Sequence, residues 1–188
     1  SMSATYRGYT REQIAGVLDH SILKPTSSTD DVKEACQLAK TERIASLCIR
    51  PMDVELAVEL LAGSSVPVCT VIGFPHGTTT TESKVFETTQ AVTTGATEID
   101  MVINVGSLKS GDLRVVERDI ESVVAACKDG GAGSKVIIEA ALLTDDEKIS
   151  ADETKRLQVR DIEIVEDGPN RERIQHIAVR GKRGKRAE

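Results

Sequence analysis

The chain has 188 residues, 39% of them hydrophobic, and a formal net charge of −6. That size suits one globular domain with a substantial core, and the acidic balance lacks the basic footprint of a nucleic-acid binder. Ser1 to Arg11 is polar and no apolar run is long enough to cross a bilayer, so neither a signal peptide nor a membrane partner is expected and the cytoplasm is the expected location.

Short apolar runs alternate along the chain with stretches of helical apolar period, which predicts repeated βα units. A leading helix over Thr10 to Val17 precedes a first strand, Leu18 to Leu23. Pro25 and Thr26 to Thr29 make a turn that supplies an N-cap, and Thr29, Asp30 and Asp31 open a helix through Lys40. Ala45 to Ile49 is the second strand, and Pro51 suits the first turn of a helix reaching Leu61.

Pro67 to Ile72 is the third strand, closed by Gly73-Phe74-Pro75-His76-Gly77. This turn lacks both the lysine-serine end of a P-loop and the spacing of a dinucleotide fingerprint, so it reads as a shaped strand-to-helix turn. A third helix is predicted over Thr80 to Thr93 with Val85, Thr88, Thr89 and Val92 inward, ended by Gly95. Glu98 then starts the fourth strand, Asp112 to Cys127 is a fourth helix, and Lys135 to Ala140 is the fifth strand. Thr144, followed three residues later by Glu147, forms a capping box for a fifth helix.

Two runs carry charge where a buried parallel strand should be apolar. Glu98-Ile99-Asp100-Met101-Val102-Ile103-Asn104 holds Asp100, and Lys135-Val136-Ile137-Ile138-Glu139 opens on a lysine. A carboxylate in such a place needs a partner or a task. A nearby ammonium would hold it ionised, and the pair could relay a proton through water or simply satisfy two charges in the interior.

Cys36, Cys48, Cys69 and Cys127 show no CxxC spacing and read as reduced, mostly buried thiols. His20 and His76 lack a metal-ligand constellation and read as packed or hydrogen-bonded turn residues, so no metal is expected.

Leu18-Asp19-His20 through Lys24-Pro25, Cys69 to Pro75, Glu98 to Asn104 and Lys135 to Glu139 together resemble the bacterial type of deoxyribose-phosphate aldolase, in the right order over about residues 10 to 151. The resemblance implies a class I aldolase with a (β/α)8 TIM barrel. Such enzymes cleave 2-deoxy-D-ribose 5-phosphate to glyceraldehyde 3-phosphate and acetaldehyde through a lysine Schiff base, with no cofactor or metal. It also implies proton-transfer roles for Asp100 and Lys135, and places Asp19 and Cys48 near the mouth or substrate pocket. For Cys48 a small packed apolar residue is the simpler reading. Any pocket is expected where Asp19, Cys48, Asp100, Lys135 and Glu139 converge at the C-terminal strand ends.

After about Ala151 the resemblance fails. Where the family has a lysine followed by Thr-Ser-Thr-Gly, this chain reads Val159-Arg160-Asp161-Ile162-Glu163-Ile164-Val165-Glu166-Asp167, with no lysine in the run. The second active-site lysine and the glycine-rich phosphate loops of the later strands find no counterpart either. Composition shifts at the same place: residues 152–188 hold 10 Lys or Arg against 8 Asp or Glu, leaving 14 against 22 in the first 151.

The expected organisation is therefore a partial α/β barrel of about five of eight units over residues 1–151. A divergent tail follows over 152–188, in which Ile162, Ile164 and Ile174 to Val179 around Gly168-Pro169-Asn170 suggest a β-hairpin. The basic end, Arg180 to Arg186, reads as solvated. An unfinished barrel has open sheet edges, so a homo-oligomer is expected. Two functions follow: an impaired aldolase, with a phosphorylated sugar as its substrate and an amine recruited from Lys24, Lys155 or a second subunit, or a non-catalytic oligomeric scaffold.

Overall fold

In a computed structural model of the protein, residues 5–153, 161–163 and 178–179 are described. Two short antiparallel strands, β1 (Thr5–Tyr6) and β2 (Tyr9–Thr10), precede α1 (Arg11–Ala15). The leading helix is thus shorter than the expected Thr10 to Val17, because Thr10 serves as its N-cap, in a reciprocal capping box with Gln13. The hairpin is not signalled by the apolar pattern; Arg7 and Gly8, both at positive φ, turn it.

The βα units follow in the expected order. They are β3 (Leu18–Ile22), α2 (Thr29–Glu42), β4 (Ser46–Ile49), α3 (Val54–Leu61), β5 (Val68–Ile72), α4 (Thr81–Thr94) and β6 (Glu98–Val102). Then come α5 (Val105–Lys109), α6 (Leu113–Asp129), β7 (Gly133–Ile137) and α7 (Asp145–Glu153). Ser28, within the expected turn of Thr26 to Thr29, caps α2 in a capping box with Asp31, and the helix opens on Thr29 as expected. Pro51 opens a single 3-10 turn, Pro51–Asp53, that leads into α3. The short helix α5, capped by Asn104, is unannounced by the sequence because only three residues separate it from α6. Thr144 and Glu147 cap α7 reciprocally, with Thr144 N donating to Glu147 at 2.8 Å and Glu147 N to Thr144 Oγ1 at 3.3 Å.

Strands β3 to β7 pair in parallel and in sequence order. The backbone of β8 (Asp161–Glu163) adds to β7 in parallel, and that of β9 (Ala178–Val179) adds to β3 antiparallel. These two pieces of the tail lie at opposite edges of the seven-stranded sheet rather than beside each other, and the expected turn at Gly168-Pro169-Asn170 lies outside the described residues.

The sheet curls. Strands β3 and β7 are four spacings apart, about 19 Å in a flat sheet, yet Lys135 on β7 reaches Asp19 on β3 at 3.0 Å. Only an arc bends those two strands close enough to touch, and the concave face is then the interior of a barrel wall.

Alternation along the strands divides two apolar layers. The larger fills the space between sheet and helices, with Val32, Leu47, Ile72, Ile99, Ile120 and Val136 among its buried members. The smaller lies on the concave face and comprises Cys48, Cys69, Val71, Val102 and Ile137, with Leu23 and Phe74 packed on it.

One face was misassigned from sequence. On α4 the buried positions are Lys84, Thr88 and Ala91, with Val85 and Val92 flanking and Thr89 exposed. Lys84 is wholly buried: its ammonium donates to Val102 O at 2.9 Å and pairs with Asp119 of α6, which also accepts from Thr81 Oγ1 at 2.9 Å. Long charged side chains usually mark a solvated face, which is why the pattern misled.

The lysine stem leaves no room at the end of β5. A Cβ on Gly73, at φ +58, would lie 2.8 Å from Lys84 Cε. Four residues on, Gly77 has φ +68 and passes so close to β6 that a Cβ would lie 2.1 Å from Ile103 O. Glycine is required there by both conformation and contact.

Candidate functional site: a buried lysine among three carboxylates

Charged side chains interrupt the apolar face on the inner side of the strands. In register, Val71, Asp100 and Lys135 stand side by side on β5, β6 and β7, and Val102 and Ile137 form the next row toward the C-terminal ends. Glu98 sits one inward step earlier, beside Cys69 and Gly133.

Lys135 is the centre of the site. Its Nζ lies 3.0 Å from Asp19, 2.9 Å from Glu98 and 3.1 Å from Asp100, and each of the four side chains is more than nine-tenths buried. Asp19 also accepts from Ser46 Oγ at 2.7 Å, and Cys48 Sγ lies 3.8 Å from Asp100 Oδ2.

Burial acts to lower the Lys135 pKa, but Cys69, Asp100, Glu98 and Asp19 act against it and carry it well above the ordinary lysine value. Burial also pushes the Cys69 thiol well up, so at neutral pH Cys69 keeps its proton and the carboxylates are the groups that hold the ammonium. Lys135 therefore stays an ammonium, with no free lone pair to act as a nucleophile.

Asp100, Lys135, Asp19 and Cys48, the four site residues expected from sequence, are brought together here. Asp19 differs in place: it is the second residue of β3, buried, rather than at the strand's end. Glu139 lies beyond β7 in a left-handed conformation at φ 53. Lys24 is exposed beyond β3, and Lys155 falls outside the described residues.

Sequence reasoning missed Glu98 as a partner, although it shares Asp100's side of the strand by the two-residue period. It also missed that Cys48 and Cys69 face each other as register partners, with Asp100 beside them: their three ligand atoms lie within 4.8 Å of one another.

The chain belongs to the DeoC/LacD family aldolases, whose family model matches residues 14–165. The deoxyribose-phosphate aldolase of Bacillus mycoides is 58% identical over 138 residues, or 73% of this chain and 61% of the relative; that of Bacillus cytotoxicus is 57% identical over the same shares. The chain thus spans about three-fifths of the length of these relatives.

Among solved structures, a putative deoxyribose-phosphate aldolase from Coccidioides immitis superposes with a TM-score of 0.79 at 35% identity, covering 84% of this chain and 62% of the other. A tetrameric deoxyribose phosphate aldolase from Aeropyrum pernix gives 0.75 at 27% identity, covering 81% and 64%. The TIM-barrel-type fold read from sequence is shown by this agreement. No helix among the described residues is long and apolar enough to cross a membrane.

Proposed function

We propose that this chain carries the proton-relay part of a deoxyribose-phosphate aldolase site, in which Asp100 and Lys135 move protons at the carbon beside a bound carbonyl. On this reading unaided turnover of 2-deoxy-D-ribose 5-phosphate is lost, because the amine that would form the imine has no counterpart. The observation that carries it is the state of Lys135: three carboxylates within 3.1 Å hold it as an ammonium. An ammonium has no lone pair for a carbonyl carbon but can donate a proton, and the Asp100 carboxylate can accept one through a water.

Two other lysines are placed differently. Lys84 is sealed against Asp119 between sheet and helices, and Lys24 is exposed. Asp19 supports the relay by fixing the ammonium from across the barrel, and Ser46 fixes Asp19 in turn.

Trapping tests this. Incubation with acetaldehyde and borohydride should leave the mass of the chain unchanged, and cleavage of deoxyribose 5-phosphate should stay at background. A reduced two-carbon adduct on any lysine overturns the reading and, by peptide mapping, names the amine.

A homo-oligomer is part of the proposal, supported by the tetrameric Aeropyrum relative. Light scattering should report a mass above that of one chain; a clean monomer counts against it. Cytoplasmic residence is likewise proposed, on the family likeness.

A further inference from the structure

Of the buried polar groups, Cys48, Cys69 and Asp100 share a property that proton relay does not use. Two soft sulfur donors and one carboxylate converge on a single point of the concave face, from three adjacent strands.

We propose that these three residues form a binding site for a thiophilic divalent cation of the zinc type. The spacing fits. Tetrahedral zinc, with bonds of about 2.3 Å to sulfur and about 2.1 Å to oxygen, separates those ligand atoms by about 3.6 Å, and Cys48 Sγ lies 3.8 Å from Asp100 Oδ2. The pairing of thiolates with a carboxylate selects a borderline-soft ion over magnesium or calcium.

Charge points the same way, independently of spacing. Asp19, Glu98 and Asp100 oppose one ammonium, so the interior holds more negative than positive charge among its described residues. A cation beside Asp100 reduces that surplus. Lys135 loses one of its contacts when Asp100 turns to the metal, but keeps Glu98 at 2.9 Å and Asp19 at 3.0 Å. On binding, each thiol gives its proton to solvent and each sulfur donates a lone pair to the metal. No electron transfer is needed.

The consequence is a switch on the same carboxylate. An Asp100 engaged by metal is withdrawn from proton transfer, so the loaded and unloaded proteins differ chemically at one residue. The site itself does not depend on whether the chain turns over a sugar.

The test uses the full chain, reduced and freed of metal. Equilibrium dialysis against zinc alone should yield one cation per chain, and cadmium should produce the ultraviolet thiolate-to-metal band. Cys48→Ser, Cys69→Ser and Asp100→Asn should each weaken zinc binding by at least about tenfold, while Cys36→Ser and Cys127→Ser leave it unchanged.

Folding of each variant is checked by circular dichroism. Should a variant fail to fold, the unaltered protein decides: zinc should protect Cys48 and Cys69, and not Cys36 or Cys127, from alkylation mapped by mass spectrometry. Absence of stoichiometric binding, binding that survives the double Cys48→Ser, Cys69→Ser change, or equal protection of all four thiols overturns the proposal.

Discussion

Replacing Lys135 by methionine would remove the one ammonium from between Asp19, Glu98 and Asp100 while keeping nearly the same volume. Taking one partner from a buried ionic group costs about 3–5 kcal/mol, so urea unfolding should show a midpoint shift of that order with no change in slope. A loss below about 1 kcal/mol, the level of an exposed pair, would mean that water reaches the cluster.

The same residue sets a pH dependence. The native lysine holds its proton above the ordinary pKa, while the unfolded chain releases it near pH 10.4. Below that pH both states carry the proton and the contribution is fully present. Above it the native state binds more protons, so stability falls as pH rises. The stability difference between the unaltered protein and Lys135→Met should therefore be flat from pH 7 to about 10 and shrink beyond it. A difference that grows at alkaline pH would contradict this origin. His20 gives the opposite edge: burial lowers its pKa, so the native state resists a proton that the unfolded chain accepts near pH 6.5, and its contribution is lost as pH falls.

At the scale of elements, what could be read from sequence had local causes. The starts of α2 and α7 were legible because α2 follows a polar turn that supplies its cap, Ser28, and opens on acidic residues, and because in α7 the capping side chain of Thr144 and its partner Glu147 stand three residues apart. Ser28→Ala should accordingly cost about 1 kcal/mol, measurable by chemical denaturation. The five parallel strands were legible from apolar runs, and Asp100 and Lys135 from the charges that interrupt them.

Illegible were the contacts that join distant elements. Asp19 and Lys135 are 116 positions apart and meet only because the sheet curls. Lys84 and Asp119 sit on separate helices whose charged faces look solvated until they are docked together. Gly77 shows the same limit: it reads as turn chemistry, yet what demands glycine is the backbone of β6 beside it. Gly77→Ala combines a left-handed backbone with a contact that must be pushed apart, for a loss of about 2–5 kcal/mol. A thermal melt close to that of the unaltered protein would show that the turn can move away.

For the molecule as a whole, family membership was legible because the motifs that carry the resemblance lie on and beside the first five parallel strands; the chain is 56–58% identical to its Bacillus relatives over 138 residues. The chain's own activity was not, since the reading of it turns on residues beyond 151, most of which lie outside the described residues. The borohydride trapping and light-scattering experiments address that scale.

The two faces of the sheet also age differently. Cohesion is concentrated between sheet and helices, where the larger apolar layer lies, while the charged belt and its thin apolar row occupy the opposite side. Outside that charged belt, a substitution in the thin concave row should thus carry a smaller penalty to folding than a comparable change at Leu47 or Ile120 in the larger layer. Mutational tolerance, mapped face by face, should be lopsided in that direction.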